Sequence, residues 1–427
     1  MNAANLKNSI ISGKCDELFN KIYPTKVEER KKRIIDAIDS FLGIYGDSED
    51  IMVFSVPGRS EISGNHTDHN HGKVIAASVD CDIIAVAAPS GDDIVKVKSE
   101  GYPGDVISLK HTVPGHYPYF KSASVVAGMC RAFQDRGYTV KGLNSYTTSN
   151  VLKGSGLSSS AAFEVMVGNM INHLFNDGKV ENSEIAIMAQ WSENVFFGKP
   201  CGLMDQMACA LGGFVNIDFN DPKNPVINKK NFDLTALNYN LCIVNTGGSH
   251  SDLNDDYASI PEEMKYVAAQ FGNTVLRGVT VEGLIENGEK IRRIVGDRAY
   301  LRALHFVKEN ERVDIISRAM DEGDIDTFLE YIEKSGNSSY KMLQNVYSNS
   351  NPSEQGISVA LAISNEYIES IDKKAVCRVH GGGFAGTMQA FIPDGYTEGY
   401  CKIIDKVMGE GSCMVMHVRP YGAIRII

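Results

Sequence analysis

The chain has no run approaching the roughly 20 consecutive apolar residues of a membrane-spanning helix. Its amino terminus, MNAANLKNSIISGKCDELFNKIY, lacks the apolar stretch and the cleavage site of a secretory signal. Both absences lead us to expect a cytoplasmic protein. Positive charge is not in excess: 42 Lys and Arg face 53 Asp and Glu, a net charge of −11. That argues against nonspecific binding to nucleic acid or to an anionic membrane. It leaves room for an anionic ligand, because a glycine-rich loop at a helix start binds phosphate even inside an acidic protein. The nine cysteines form no Cys-x-x-Cys pair and show no Cys/His metal spacing. They read as reduced thiols, several of them, such as Cys130 and Cys242, in apolar stretches. The pattern G-x-x-x-x-G-K-[S/T] is missing, and no internal repeat or low-complexity tract is visible.

The 427 residues suit two compact domains. We place the boundary in the polar stretch NDPKNPVINKKN, giving an N-terminal domain of residues 1–225 and a C-terminal domain of residues 226–427. Residues 14–46 read as a helix. IMVFSV, KVIAASVD and CDIIAVAA read as three short strands broken by Gly, Asp and Ser. A helix over 118–136, a strand at GLNSYTTS, a helix from about 158 to 174, and another from Asn182 to Gly198 follow, with Asn182 as candidate N-cap. In the second half NLCIVNTG is a buried-strand pattern, and helical segments fill about 262 to 372. The last stretch, CMVMHVRPYGAIRII, holds two β-like runs that can return to the first domain.

Four segments carry chemistry. GRSEISGNHTDHNHG, residues 58–72, holds three His, an Arg, a Glu, an Asp and two Asn but only one aliphatic residue, which no hydrophobic core requires. KGSGLSSSAAFE, residues 153–164, places Gly and Ser ahead of an apolar helix; its amides and hydroxyls can hold an anion, a metal ion or simply cap the helix. In QWSENVFFGKPCGLMDQMACALGG, residues 190–213, Asp205 sits among apolar residues. A carboxylate there is expensive unless paired, so Asp205 is a candidate general base or orienting anion, or else a helix cap. HGGGFAGTMQAF, residues 380–391, makes a tight backbone nest. His69 and His71 read as solvated loop residues, His380 as a hydrogen-bonding residue at a strand end, and Trp191 as a packing residue.

Together and in this order, these segments resemble the GHMP small-molecule kinases, and the first narrows the resemblance to the galactokinase family. That family carries a signature close to G-R-x-N-L-I-G-E-H-T-D-Y-N-x-G, and Gly58, Arg59, Gly64, His66, Thr67, Asp68, Asn70 and Gly72 match it in register. The resemblance extends from about residue 50 to the C-terminus. It implies an α/β (α+β) protein with the two-domain GHMP kinase fold: an N-terminal mixed-sheet domain, a C-terminal ferredoxin-like domain and an active site in the cleft. It implies ATP and Mg²⁺ as cofactors and a small-molecule sugar as substrate. By position, Asp205 is implied as base or orienter and Arg59 as its partner. Asn65, His66, Asp68, Gly202 and Tyr257 are implied to line the sugar pocket. Gly154, Ser155, Gly156, Leu157, Ser158, Ser159 and Ser160 are implied to cradle ATP phosphates, with Ser160 and Glu193 holding Mg²⁺. We expect a monomer or weak dimer.

The departures bear on the sugar. Glu61 stands where the signature has Asn, Ser63 where it has an aliphatic residue, Asn65 where it has Glu, and His69 where it has Tyr. The family's Glu faces the sugar near C6. Asn65 is neutral and can donate, which suits a C6 hydroxyl and also a C6 carboxylate. Galactose is therefore the leading substrate and galacturonate the alternative, and Asn65→Glu is expected to be tolerated only with galactose. The family also includes sugar sensors without turnover; retention of Asp205 and Arg59 speaks against that role.

Overall fold

The computed structural model describes residues 1–151, 156–248 and 253–427. Its strands form two sheets. The first contains β1 (Met52–Ser63), β2 (Lys73–Pro89), β3 (Ile94–Ser99), β4 (Asp105–Ser108), β5 (Leu143–Ser149), β6 (Phe214–Asp218) and β7 (Val226–Lys230). The second contains β8 (Tyr239–Gly247), β9 (Val376–Val379), β10 (Gly386–Pro393) and β11 (Cys413–Met416), after which β12 (Ile424–Arg425) rejoins the first. The first sheet runs β12-β1-β2-β5-β3-β4, with β6 on β2 and β7 on β6. It is mixed, because β3 and β5 pair in parallel while the other pairs are antiparallel.

Two expectations change here. KVIAASVD and CDIIAVAA are one 17-residue strand, and β1 runs on through Arg59 and Glu61 to Ser63. The aspartates that looked like breakers are buried partners instead. Asp80 accepts the His417 backbone N–H at 3.0 Å. Asp82, fully buried, accepts from Arg33 at 2.6 Å and Arg419 at 3.3 Å, and from the hydroxyls of Tyr23 and Ser55. Burial pushes the Asp82 carboxyl up, but Arg33, Arg419 and the two hydroxyls prevail and hold it below the usual carboxylate range. β7, beyond the expected boundary at residue 225, adds to the first sheet, so the first sheet extends at least to Lys230.

Both faces of β1 and β2 are covered, which is why these strands read as continuous apolar runs. On one face lie α1 (Ala3–Ile11), α2 (Asp16–Ile22) and α3 (Val27–Tyr45), whose Leu6, Phe19, Ile38 and Phe41 meet Val53, Ile84 and Val86. The single helix expected over 14–46 is broken before α3. Pro24 disfavours helical geometry at Tyr23, and Lys26 takes a left-handed φ of 57°. On the other face pack α4 (Ser122–Asp135), α5 (Ser159–Phe175), α6 (Asn182–Ser192) and α7 (Met204–Leu211), against Phe54, Val56, Ala85 and Ala87. Asn182 begins α6 without capping it; its amide donates to the carbonyls of Ala210 and Ala423.

The second sheet runs β11-β8-β10-β9, all antiparallel. With α13 (Gly356–Glu369) before β9 and α14 (Asp394–Met408) before β11, this is the βαββαβ ferredoxin-like arrangement. Between β8 and α13 lie α8 (Asn254–Ala269), α9 (Val281–Glu286), α10 (Gly288–Val295), α11 (Asp297–Glu322) and α12 (Ile325–Ser338). Among the described residues no helix is long and apolar enough to cross a membrane.

The Asp82 cluster makes a stability prediction. Asp82→Asn removes the charge and leaves Arg33 and Arg419 beside a neutral amide. Breaking a buried pair from one side costs about 3 to 5 kcal/mol, and the loss will appear as a lowered urea-unfolding midpoint. A change below about 1 kcal/mol, the worth of an exposed pair, would show that the cluster is dispensable.

Candidate active site

Arg59 points from β1 into the gap between α5 and α7. Its Nε and one terminal nitrogen each donate to a different oxygen of Asp205 at 2.6 Å. The other terminal nitrogen reaches the Gly156 carbonyl, and the Arg59 backbone N–H donates to the Leu157 carbonyl at 3.0 Å. Arg59 has 7% of its side chain exposed and Asp205 has 32%, so the carboxylate keeps an open side. Asp205 stands in the first turn of α7, which suits an anion. Its carboxyl is pushed up by burial but held below the usual range by Arg59 and by the Ser158 hydroxyl, which donates to it. Asp205 is therefore ionised at neutral pH, and it lies within one side chain of the Gly/Ser loop.

Gly154 and Ser155 lie outside the described residues. Gly156 has φ of +68° and Ser158 +56°, a backbone twist that delivers Ser159 to the start of α5. Leu157 is buried, and Ser160 is exposed at the helix start. One turn further, on the same face of α5, is Glu164. Its carboxylate and that of Glu193 both accept from the Gln206 amide, at 3.0 and 2.9 Å. Both carboxylates are buried, at 1% and 3% exposure. Burial and the neighbouring Glu193 push the Glu164 carboxyl well up. Lys199 reaches Glu193 at 3.6 Å, and the Gln206 Oε1 is buried without a hydrogen-bond partner. Two buried carboxylates brought together on one amide are hard oxygen donors of the kind that could hold Mg²⁺. Glu193 begins a π-helical turn, Glu193–Phe197, a device common at functional sites. Glu164 escaped the sequence reading, although a Glu within an otherwise apolar helix four residues after Ser160 was a usable signal.

The loop after β1 is stitched to the turn between β9 and β10. Asn65 Nδ2 donates to the Gly381 carbonyl at 2.6 Å, and His66 Nε2 donates to the Gly382 carbonyl at 2.9 Å. Tyr257 Oη donates to the Gly383 carbonyl at 2.9 Å. Gly382 is obligatory here: a Cβ would stand 2.6 Å from the Tyr257 ring. Burial lowers the His66 pKa to about 4, so the ring is neutral and donates through Nε2–H. Gly202 lies under Asp68, where a Cβ would come within 2.1 Å of the carboxylate. Its neighbour Cys201 is clamped by Asn194, which accepts its N–H at 2.7 Å, and by Gln190, which donates to its carbonyl at 3.1 Å.

Asn65 is not at a pocket rim. It is fully buried, and its amide uses all four hydrogen-bonding positions. Nδ2 donates to Glu61 at 2.8 Å as well as to Gly381, while Oδ1 accepts from Asn345 at 2.8 Å and Ser339 at 3.3 Å. The departures at 61 and 65 are thus one exchange: Asn and Glu have traded places and bond to each other. Burial pushes the Glu61 carboxyl up to about 7 against the pull of Arg378, which stands 3.4 Å away, and of Arg59. Buried side chains from the second half fix this loop from behind. His305 donates to the Asn65 carbonyl at 2.9 Å. Glu309 accepts from Ser63 Oγ and the Gly64 N–H, both at 2.9 Å. None of Glu61, His305, Glu309 or Arg378 was singled out as a site residue from sequence; for Glu61 the signal was the reciprocal departure at 65.

Comparison with known proteins bears on the same segments. Residues 39–89 match the galactokinase galactose-binding signature, and residues 122–213 match the GHMP kinases N terminal domain. A galactokinase of Clostridium tetani (strain Massachusetts / E88) is 31% identical over 288 residues, covering 64% of this chain and 69% of that protein. A galactokinase of Actinobacillus pleuropneumoniae serotype 5b (strain L20) is 29% identical over 380 residues, covering 86% of this chain and 92% of that protein. In fold, the chain is similar to Lactococcus lactis galactokinase, crystallised with galactose, at a TM-score of 0.77 and 23% identity, over 91% of this chain and 98% of that one. It is similar to Methanococcus jannaschii mevalonate kinase at a TM-score of 0.61 and 13% identity, over 87% of this chain and 99% of that one. The chain belongs to the galactokinase family of the GHMP kinases.

Proposed function

We propose that this chain phosphorylates galactose at its anomeric hydroxyl, using ATP and releasing ADP. The observation that carries the reading is the ionised Asp205, gripped by Arg59 and by Ser158 from the Gly/Ser loop. That contact puts one anion beside the place where phosphates would lie. Asp205 then orients the anomeric hydroxyl or takes its proton while the sugar oxygen bonds to the γ-phosphorus and the bond to ADP breaks. Residues 154–160 cradle the phosphates, with the Ser158 hydroxyl turned to Asp205. Asp68, Gly202, His66 and Tyr257 border the sugar, the last two also shaping the glycine turn. Ser160, Glu193 and Glu164 would hold Mg²⁺, which when bound neutralises phosphate charge. Most of the barrier reduction in such a transfer comes from positioning and charge.

The exchange at 61 and 65 favours galactose over galacturonate. Asn65 has no hydrogen-bonding position left for a substrate carboxylate, so its neutral amide no longer argues for one.

Two variants test this reading. Asp205→Asn keeps shape and removes charge; kcat for ADP release with galactose will fall by about 10² or more, with ATP binding kept. Near-normal turnover would reduce Asp205 to a structural role, and a panel in which galacturonate outperforms galactose would overturn the substrate.

The second variant revises the expectation that Asn65→Glu is tolerated. It sets a second carboxylate against Glu61, a like-charge contact worth several kcal/mol, and kcat/KM will fall by about 10² to 10³. Adding Glu61→Asn restores one carboxylate and one amide, and the double variant will recover most of the loss. A double variant as impaired as the sum of the singles would show that the two positions do not act as a pair.

A further inference from the structure

Three cysteines with no role in the kinase site meet on the helix-covered face of the second sheet. Cys242 is in β8, Cys401 in α14 and Cys413 at the start of β11. Their sulfurs all lie within 4.8 Å of one another, and those of Cys401 and Cys413 are 3.2 Å apart. Cys242 is fully buried; the other two are half-buried. Sequence spacing concealed the group, because the fold alone brings these positions together. Cys377 packs against the same apolar cluster but makes the ordinary arrangement of a single core thiol, with its Sγ toward Asn365 at 3.3 Å. Three sulfurs turned toward one another satisfy little as hydrogen-bonding groups, since a thiol is a weak donor and a weak acceptor. They do present three soft donors to one point.

We propose that Cys242, Cys401 and Cys413 form a binding site for one thiophilic metal ion of the zinc and cadmium class. An ion at the centre of the triangle is at most about 2.8 Å from each sulfur, against a Zn–S bond of about 2.3 Å, so each side chain need move only about half an ångström. Soft thiolates select this class of ion over the hard Mg²⁺ of the kinase site. The two half-buried cysteines supply an entry path and leave a further coordination position open, while Cys242 anchors the site to the sheet. Asp405, one turn on from Cys401 in α14, accepts the Cys413 N–H at 3.0 Å and so holds the two part-exposed ligands in register. Binding converts three thiols to thiolates and releases their protons.

The test is a titration of the reduced, metal-free full-length chain with Cd²⁺, followed by Zn²⁺ in competition with a chromophoric chelator. One equivalent of Cd²⁺ per chain will produce thiolate-to-metal absorption and shield three cysteines from alkylation. Cys401→Ser and Cys413→Ser, at half-buried positions and with their folding checked by circular dichroism, will each weaken Cd²⁺ binding about 100-fold or more, beyond what loss of an outer-shell group causes. Cys377→Ser will bind as the unaltered chain does. Absence of the absorption band, or undiminished affinity in the Cys401→Ser/Cys413→Ser double variant, would overturn the proposal. None of these readouts depends on kinase activity.

Discussion

Arg59 leaves β1 and grips Asp205 on α7 with two N–H···O bonds, while its remaining nitrogen reaches the Gly156 carbonyl. One side chain thereby joins a strand, a helix start and the Gly/Ser loop. A paired guanidinium and carboxylate in so dry a place persist only when their other hydrogen-bonding positions are met, and here the Ser158 hydroxyl and a helix N-terminus meet them. The arrangement keeps Asp205 charged without neutralising it completely. It leaves an anion of fixed orientation, open on one side.

The second half of the chain contributes scaffolding as much as contact. The glycine turn between β9 and β10 has three successive carbonyls occupied by Asn65, His66 and Tyr257. From behind, His305 and Glu309 of α11 hold the loop after β1. Glu309 is fully buried, and burial alone would raise its pKa; Arg312, His305 and Arg378 prevail and hold it well below the usual carboxylate range. His380, by contrast, is neutral, its pKa lowered by burial to about 3, and it accepts the Glu61 N–H while facing Thr387. The polar side chains at this junction are therefore committed to holding backbone, whereas Asp205 keeps about a third of its side chain exposed.

Some of this was legible in the sequence, for physical reasons. Asp205 stood out because an unpaired carboxylate among Met and Ala residues is costly, and the cost predicted a cation. The Gly/Ser loop stood out because glycine and serine before an apolar helix have few structural uses. Asn65 was misjudged because its place in the signature said nothing about Glu61, Asn345 and Ser339 closing around it. The aspartates of β2 looked like strand breaks because their remote partners, His417 for Asp80 and Arg33 and Arg419 for Asp82, cannot be located by local patterning. Lone residues whose cost is local can be read along a chain. Networks whose members are hundreds of positions apart appear only once the chain is folded.

Residues 419–427 carry a consequence for the order in which the first sheet is completed. β12 pairs with β1, and the Ile427 carbonyl accepts the Val53 N–H at 3.1 Å. Arg419 is sealed beneath the first sheet against Asp82 and Ser55. Domains emerging from the ribosome generally fold in order, amino end first. Here the first sheet lacks an edge strand and a buried cation until residues 419–427 have been made. Until those residues emerge, Asp82 is incompletely paired and one margin of β1 is bare, so the amino-terminal half closes only after the second half of the sequence has been made.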